Sequence, residues 1–434
     1  MKNIKFRLIV MSFMQYAVWG SWLISLGAYL GGTLQFTGGQ IGSFFATMGI
    51  ASLFMPAVMG VIADRWVPAQ RLLGISHIMA ALLMILASRQ DTYQTLYPLV
   101  LLSVMFYMPT IALSNTVAYN ALNRAGLDTV KAFPPIRVWG TIGFICAMWV
   151  VDLMGWGLSS TQLNFSAVLD IILGIYSMTL PSCEVNRNIK SKSWIDTLGL
   201  RAFALFKEKK MAIFFLFSMM LGMSLQITNA FADGYIKSFG DVATYGEQYL
   251  DTFGVKHSTI LISLSQISET LCILLIPFCL KRFGIKNVML ISMLAWVLRF
   301  GLLGAGNPGA GVWMFVLSMI VYGVAFDFFN ISGSLYVNEN TSGQMRSSAQ
   351  GLFMIMTNGI GATVGTLGAQ AVVNRLVPQT LSNAEGVVIN GVEVAEGWSH
   401  TWLTFAGYAL VVALLFWVLF KYKHNPEKQQ VINH

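Results

Sequence analysis

The sequence predicts an all-α polytopic membrane protein, and three observations support this fold class. Of its 434 residues, 56% are hydrophobic and only 11% are charged, whereas an ordinary soluble domain has roughly 25% charged residues. Apolar stretches long enough to cross a hydrocarbon core of about 30 Å recur along the whole length. These stretches are continuous and lack the alternating pattern of membrane β-barrels. Since every backbone N–H and C=O in lipid needs a partner within the chain, the stretches are predicted to be helices.

Twelve spans are predicted, with both termini in the cytoplasm. The spans cover residues 7–32, 41–63, 71–88, 95–121, 135–154, 163–181, 211–236, 257–280, 286–304, 312–337, 346–373 and 398–420. Lys and Arg cluster before the first span, in alternate connections and after Tyr422, and such clusters mark the cytoplasmic side. The net charge of +8 is therefore attributed to membrane orientation and not to nucleic-acid binding. The basic segment 1–7 has no convincing cleavage site after it, so we interpret it as part of a retained first span.

The longest cytoplasmic connection divides the predicted spans six and six. On this basis residues 1–181 form an N-terminal six-helix bundle, 182–210 a cytoplasmic linker, and 211–434 a C-terminal six-helix bundle with a short cytoplasmic tail. Some apolar linker residues fall near helical spacing, namely Trp194, Leu198, Ala202 and Leu205. This spacing is compatible with a short helix in the headgroup region, and a plain tether explains it as well.

Two short cytoplasmic connections are alike in being tight and basic. The first runs from Gly60 through Asp64 and Arg65 to Arg71, and the second covers residues 277–286. The first resembles the loop motif of the major facilitator superfamily, although it carries fewer basic residues than that motif usually has. Two such bundles, related by an axis along the membrane normal, would bind a substrate between them near the middle of the membrane.

Two carboxylates inside predicted spans point to function. Glu269 lies near the middle of the eighth span and Asp327 near the middle of the tenth. A charge at this depth costs at least about 2.5 kcal/mol, so each acid needs a partner, a cavity or a proton. Asp327 has phenylalanines on both sides, which indicates a dry setting. We therefore predict that proton coupling depends chiefly on Asp327 and ligand binding chiefly on Glu269, with Glu269 a second candidate for coupling.

Amide and aromatic side chains share helix faces with these acids. They are Gln226 and Asn229 in span 7, Gln266 in span 8, and Tyr322, Phe326 and Asn330 in span 10. Together such groups suit a neutral, flat, polyhydroxylated ligand, because amides bind hydroxyl groups and aromatic rings stack on flat ones. Hydrogen bonding between helices explains each amide equally well. For Phe326 by itself, packing in the core or against lipid is the favoured interpretation.

Arg137 begins a second stripe, with Thr141 and Phe144 on the fifth span. Its position near the cytoplasmic end favours an arginine that sets the topology or pairs with Asp64 or Asp128. The prolines of segment 133–135 are predicted to start this helix.

Several other residues receive structural assignments from the sequence. Arg299 inside span 9 stays ambiguous, and Asp152 and Asp170 are assigned to structure. The four cysteines show no metal-ligand spacing and are interpreted as buried packing residues: Cys146, Cys183, Cys272 and Cys279. The glycines of span 11 are predicted to allow close helix packing: Gly351, Gly359, Gly361, Gly365 and Gly368.

Enzyme chemistry finds little support in the sequence. The five histidines are scattered, and neither a Walker-type glycine loop nor a zinc-ligand spacing is present. No nucleophile elbow occurs either. We therefore predict no enzyme activity, no metal and no cofactor. Transport would then be driven by an ion gradient or by the gradient of the substrate.

Long strings of the chain resemble the bacterial nucleoside:proton symporters, a major facilitator family that includes nucleoside and xanthosine permeases. The strings cover residues 19–22, 133–144, 225–229, 265–270 and 321–333. The resemblance extends from the first span to residues 421–424. It implies an inner-membrane protein, acting as a monomer without a cofactor or nucleic-acid partner. It also implies that purine and pyrimidine nucleosides, such as uridine, enter with protons by alternating access.

The resemblance also implies a set of site residues. Around the nucleoside it puts Arg137, Thr141, Phe144, Gln226, Asn229, Gln266, Glu269, Tyr322 and Phe326. Asp327 would couple transport to protons. This reverses the topological interpretation of Arg137. The chain departs from close members of the family mainly in the outer loops 237–256 and 375–398, which leaves access and nucleoside preference open.

Two alternatives remain at the level of sequence. Gln, Asn and Glu side chains also suit sugars, so a proton-coupled sugar permease is the nearest competitor. A membrane sensor or channel is the other class, although neither a signalling domain nor a repeated filter motif is seen in the sequence.

Overall fold

The computed structural model describes residues 3–127, 129–183, 200–341, 346–378 and 391–422. These residues form helices, turns and short irregular segments and contain no β-strand. The chain divides into two compact units, Met1–Leu200 and Arg201–His434. Among the described residues, nine helices are long and apolar enough to cross a membrane. The predicted all-α membrane fold is confirmed.

The N-terminal unit contains six long helices. They are α1 (Ile4–Gly20), α2 (Gly38–Arg65), α3 (Ala69–Ala87), α4 (Tyr93–Arg124), α5 (Thr129–Leu153) and α6 (Thr161–Met178). Between α1 and α2 lie a short helix, Leu26–Ala28, and a π-helix, Tyr29–Thr33; a 3-10 turn, Trp156–Leu158, precedes α6. Helix α2 begins with a capping box in which Thr37 and Gln40 each bind the other's backbone N–H.

The C-terminal unit begins with a 3-10 helix, Leu200–Lys207. The longer helices are α7 (Lys209–Ser238), α8 (Ser258–Ala305), α9 (Val312–Asn340), α10 (Arg346–Met354), α11 (Ala362–Leu376) and α12 (Gly391–Leu419). Short helices occupy Val242–Tyr245 and Phe253–Lys256, and a π-helix, Ile355–Gly361, joins α10 to α11. Each predicted span overlaps one of these helical segments.

Three predicted boundaries differ from the structure. The eighth and ninth spans form one 48-residue helix, α8, interrupted by non-helical dihedrals at Gly284 (φ 75°). A straight helix of that length would measure about 72 Å, more than twice the membrane core, so Gly284 separates two spans. Helix α5 begins at Thr129, before the prolines predicted to start it. Helix α1 ends at Gly20, well short of the predicted end of span 1 at residue 32.

The linker and the cysteines agree only in part with the sequence predictions. Trp194 and Leu198, part of the predicted interfacial helix, lie outside the described residues, and the described end of the linker is a 3-10 helix in which Leu205 is buried. Cys183 and Cys272 are buried, but Cys146 is exposed. The packing assignment is therefore wrong for Cys146, because an apolar side chain on a membrane-spanning helix is equally at home against lipid.

Close helix crossings in the N-terminal unit depend on glycine. A methyl group on Gly143 of α5 would overlap the backbone of Phe13 in α1, and one on Gly20 of α1 would overlap the backbone of Phe144. Helices α3 and α6 cross in the same way, because a Cβ on Gly74 would lie 2.7 Å from the carbonyl oxygen of Gly174. These two crossings bring polar residues one turn away into contact.

The span-11 glycines divide into two groups in the C-terminal unit. Gly361 and Gly365 face the backbone of α7 so closely that a Cβ would overlap it. The prediction of close packing is confirmed for these two. It is wrong for Gly351 and Gly368, which are exposed and where a Cβ would meet no described atom within 4 Å.

Candidate functional site

In the N-terminal unit, the predicted site residues of α5 lie beside α1. The guanidinium carbon of Arg137 is 3.8 Å from the ring centroid of Tyr16, a cation–π contact. Phe144 packs edge-on against Trp19, with centroids 6.4 Å apart. Thr141 lies between them in the chain and is half-buried. The glycine crossing of α1 and α5 therefore places this stripe against aromatic rings.

The interpretation of Arg137 as an ion-paired arginine is not supported by the described contacts. Its proposed partners, Asp64 and Asp128, have side chains outside the described part of the structure. The described contact of the guanidinium is with the aromatic face of Tyr16. Trp19 adds a further donor, since its buried Nε1 has no hydrogen-bond partner among the described residues.

In the C-terminal unit, helices α8 and α9 approach closely next to the two acids. A Cβ on Gly323 would lie 2.5 Å from the carbonyl oxygen of Ser268, and the Ser268 hydroxyl donates to the carbonyl of Ile320. This contact brings Glu269 on α8 near Asp327 on α9, and their charges interact. The two acids that the sequence singled out thus form one electrostatic unit.

The two acids differ in their surroundings. Asp327 is 5% exposed, and its Oδ2 has no hydrogen-bond partner among the described residues. Glu269 is half-buried. A third buried acid, Asp233, accepts hydrogen bonds from Lys237 (2.7 Å) and Ser258 (2.5 Å) and is paired in a structural role. Asp327 is the acid whose burial calls for a proton, because an unpaired carboxylate is costly in such a site.

The predicted amides present acceptors that no described residue satisfies. The Oε1 atoms of Gln226 on α7 and Gln266 on α8 are buried and have no hydrogen-bond partner there. Asn229 is half-buried one turn after Gln226. An unmet buried acceptor costs roughly 1–3 kcal/mol. A ligand with O–H or N–H donors would remove this cost.

The aromatic residues of α9 form a stacked pair. Tyr322 and Phe326 lie 5.7 Å apart with an interplanar angle of 12°, and Tyr322 meets Trp296 edge-on. Phe326 is half-buried. This ring stacks on Tyr322 and also borders a cavity.

That cavity is small, with a volume of about 10 Å³, and lies within the C-terminal unit. Its walls are Leu221, Gly222, Leu225, Trp296, Ala325, Phe326, Phe329, Asn330, Thr357 and Asn358. Phe326 comes from the predicted site, and Asn330 lies on the same predicted stripe. Asn358 and Thr357 were missed. An amide inside an apolar span is the feature that identified Gln226, and Asn358 has the same feature. Asn358 lies in the π-helix Ile355–Gly361, which turns it toward the cavity.

Arg299, which the sequence left ambiguous, lies behind this aromatic pair. It is 2% exposed, donates through Nη1 to the carbonyl of Ser318 at 2.6 Å, and lies 4.7 Å from the centroid of Tyr322. It therefore holds the Tyr322 ring in place. No group of three or more metal-ligating side chains occurs among the described residues.

Comparison with known proteins identifies the family. The chain matches the family described as "Nucleoside H+ symporter" over residues 1–425. It is 46% identical over 435 residues to the nucleoside permease NupG of Escherichia coli (strain K12), covering 100% of both chains. It is 47% identical over 429 residues to the xanthosine permease of the same organism, covering 98% of both. A crystal structure of the nucleoside transporter NupG superposes with a TM-score of 0.87 at 47% identity, covering 97% of this chain and 100% of that one. The chain therefore belongs to the nucleoside H+ symporter family and is a membrane transporter of the major facilitator type, not an enzyme.

Proposed function

We propose that the protein carries nucleosides such as uridine into the cell together with protons, by alternating access. In this proposal it acts as a monomer in the inner membrane, with both termini in the cytoplasm. Family membership supports the transport reaction. The basic residues of alternate connections support the orientation.

The observation that carries the proposal is the match between the C-terminal unit and the chemistry of a nucleoside. Buried acceptors of Gln226 and Gln266 lack partners among the described residues, and ribose hydroxyls and base N–H groups are donors. The stacked pair of Tyr322 and Phe326 offers a flat apolar face, which suits a base. A sugar could use the same acceptors and pack its C–H face on the same ring, so competition between nucleosides and sugars decides between the two.

The proposal gives the remaining residues the following roles. Glu269 accepts hydrogen bonds from the ribose hydroxyls, and Asn229 forms a hydrogen bond with the nucleoside beside Gln226. The α5 stripe of Arg137, Thr141 and Phe144 binds the same nucleoside from the N-terminal unit in this proposal. Asp327 carries the transported proton.

Uptake of radiolabelled uridine by transport-deficient cells that express the protein tests the proposed function. Unlabelled nucleosides should compete with uridine, whereas free sugars should not. Xanthosine belongs in the panel, because the chain is about equally similar to a nucleoside permease and a xanthosine permease. Saturable counterflow exchange would separate a carrier from a channel. Competition by sugars and not by nucleosides would favour a sugar permease.

We expect accumulation in energised vesicles to be abolished by a protonophore. Buried acids are present to carry protons, and the sequence holds no Walker-type motif through which nucleotide hydrolysis could drive transport. The measurement is uridine accumulation with and without the protonophore, under an imposed sodium gradient as the control. Uphill transport that continues on sodium alone would contradict proton coupling.

Alanine at each predicted amide should weaken uridine binding without unfolding the protein. Gln226→Ala, Asn229→Ala and Gln266→Ala each remove a hydrogen bond to a neutral partner. Such a loss costs about 0.5–1.5 kcal/mol, roughly a few-fold to tenfold in affinity. Asn164 is an exposed amide outside the site whose Oδ1 accepts from Ser88 at 2.8 Å, so Asn164→Ala is a matched control that should bind like the parent. If all three site variants also bind like the parent, the site is wrongly placed.

A further inference from the structure

A buried histidine–aspartate pair lies in the N-terminal unit, outside the predicted nucleoside residues. His77 of α3 is 0% exposed, and its Nδ1 lies 2.6 Å from Oδ1 of Asp170 on α6, which is 1% exposed. The other ring nitrogen, Nε2, lies 3.0 Å from Oε1 of Gln15 on α1. The close crossing at Gly74 and Gly174, each one turn from a member of the pair, brings the two together.

The hydrogen bonds around Gln15 determine which atom of His77 carries a hydrogen. The Thr110 hydroxyl donates to the carbonyl of Tyr107 at 2.5 Å, so its oxygen accepts from Gln15 Nε2 at 2.7 Å. The amide oxygen of Gln15 therefore faces His77. An amide oxygen can only accept, and so Nε2 of His77 must be protonated.

The contact between His77 and Asp170 also needs a hydrogen on one of its two atoms. An ionised carboxylate can only accept, so either Nδ1 also carries a hydrogen or the carboxyl group itself is protonated. In both arrangements the pair holds one proton more than a neutral histidine beside an ionised aspartate. The pair is then neutral overall, which a dry site favours because an unpaired charge is costly there.

We propose that the His77–Asp170 pair is a second proton-binding site of this transporter, in addition to Asp327. When the proton leaves, His77 keeps its Nδ1 hydrogen on Asp170 and presents a bare Nε2 to Gln15. The Gln15 amide then turns its nitrogen toward His77, and the Thr110 hydroxyl turns from the Tyr107 carbonyl to the amide oxygen. One proton is released, and the exchange costs only the hydrogen bond that the Tyr107 carbonyl accepted from Thr110.

Gln15 connects this change to the predicted nucleoside residues, and here the inference rests on the proposed function. The Tyr107 hydroxyl donates to the Gln15 carbonyl at 2.6 Å, and Arg137 lies over the ring of the next residue, Tyr16. Trp19, one turn further along α1, contacts both Tyr107 and Phe144. A change at Gln15 therefore acts on the aromatic wall beside Arg137.

Other titratable groups surround the pair from each neighbouring helix. Tyr107 of α4 interacts electrostatically with Tyr16 of α1, Arg137 of α5 and Asp170 of α6. The Tyr107 ring is 5.9 Å from the imidazole of His77. Arg137 is the cation of this group.

The test is the number of protons linked to uridine binding. Asp170→Asn keeps a hydrogen bond to Nδ1 but fixes the pair as neutral, so it imitates the protonated state. For each linked proton, uridine affinity changes by up to about tenfold per pH unit. Between pH 5 and 9 we expect Asp170→Asn to lose up to this slope relative to the parent. Proton uptake on adding uridine to weakly buffered protein, followed with a pH indicator, should fall as well.

Further variants keep the test decisive. Uridine binding at low pH reports whether Asp170→Asn is folded, and the double variant His77→Gln with Asp170→Asn supplies a neutral amide pair if it is not. Asp327→Asn alone should retain part of the linked proton uptake. The proposal is overturned if Asp170→Asn keeps the full pH slope, or if Asp327→Asn removes all of it.

A measurement without ligand separates failure of this inference from failure of the proposed function. The chain has five histidines, and in isotope-labelled protein the nuclear magnetic resonance signal lost in His77→Gln belongs to His77. That signal should change tautomer or protonation with pH in the parent and not in Asp170→Asn. A His77 signal that stays constant in the parent would contradict the second proton site whether or not the protein binds uridine.

Discussion

Asp327→Asn is expected to lose most of the proton-driven nucleoside accumulation while leaving nucleoside binding and exchange in place. Asparagine has the shape of the protonated acid and cannot release a proton. Asp327 is 5% exposed with an unsatisfied Oδ2 among the described residues, so burial favours its neutral form. In energised vesicles uridine accumulation should fall well below that of the parent, to what the proposed His77–Asp170 site alone can drive, while counterflow exchange continues.

Glu269→Gln is the matched comparison for this variant, because Glu269 interacts with Asp327 but is half-buried. It should chiefly weaken binding. Loss of a hydrogen bond to a charged group costs about 1.5–3 kcal/mol, roughly ten- to hundredfold in affinity. Full accumulation by Asp327→Asn would remove this residue from proton coupling. Unchanged affinity in Glu269→Gln would remove that one from the binding site.

Gly365→Ala is expected to destabilise the protein, whereas Gly368→Ala, three residues further along the same helix, is not. A methyl group on Gly365 would overlap the backbone of Met223 in α7, and one on Gly368 would meet no atom within 4 Å. Overpacking of this kind costs typically about 1–3 kcal/mol, because backbone and not a flexible side chain has to move. At Gly368, alanine should be neutral or gain up to about 1 kcal/mol from helix propensity.

Thermal unfolding of the purified variants in detergent measures this difference. The melting temperature of Gly365→Ala should fall clearly below that of Gly368→Ala, which should equal or exceed the parent. The pair controls for residue type, helix and membrane depth, so only the neighbouring helix differs. Equal melting temperatures for the two variants would mean that α11 does not pack on α7 through Gly365.

The sequence by itself determined the class of protein, the helical spans and the two acids Glu269 and Asp327. Each of these depends on a property that is local in the chain. A membrane span is recognised from the hydropathy of about twenty consecutive residues, and a carboxylate within one is informative because lipid cannot solvate it. The same argument identified Gln226 and Gln266, whose buried oxygens lack partners among the described residues.

Only the tertiary structure decided which helix faces meet. His77 and Asp170 are 93 positions apart, and each alone is one polar residue in an apolar span, so the sequence assigned them separately and saw no pair. Likewise, Gly365 and Gly368 share one helix, yet only the first touches a neighbour. Hydropathy gives the depth of a residue in the membrane but not the rotation of its helix, because Leu and lipid are equally apolar partners. The rotation is determined by close backbone crossings between distant segments. These crossings place His77 beside Asp170 and form the cavity of the C-terminal unit.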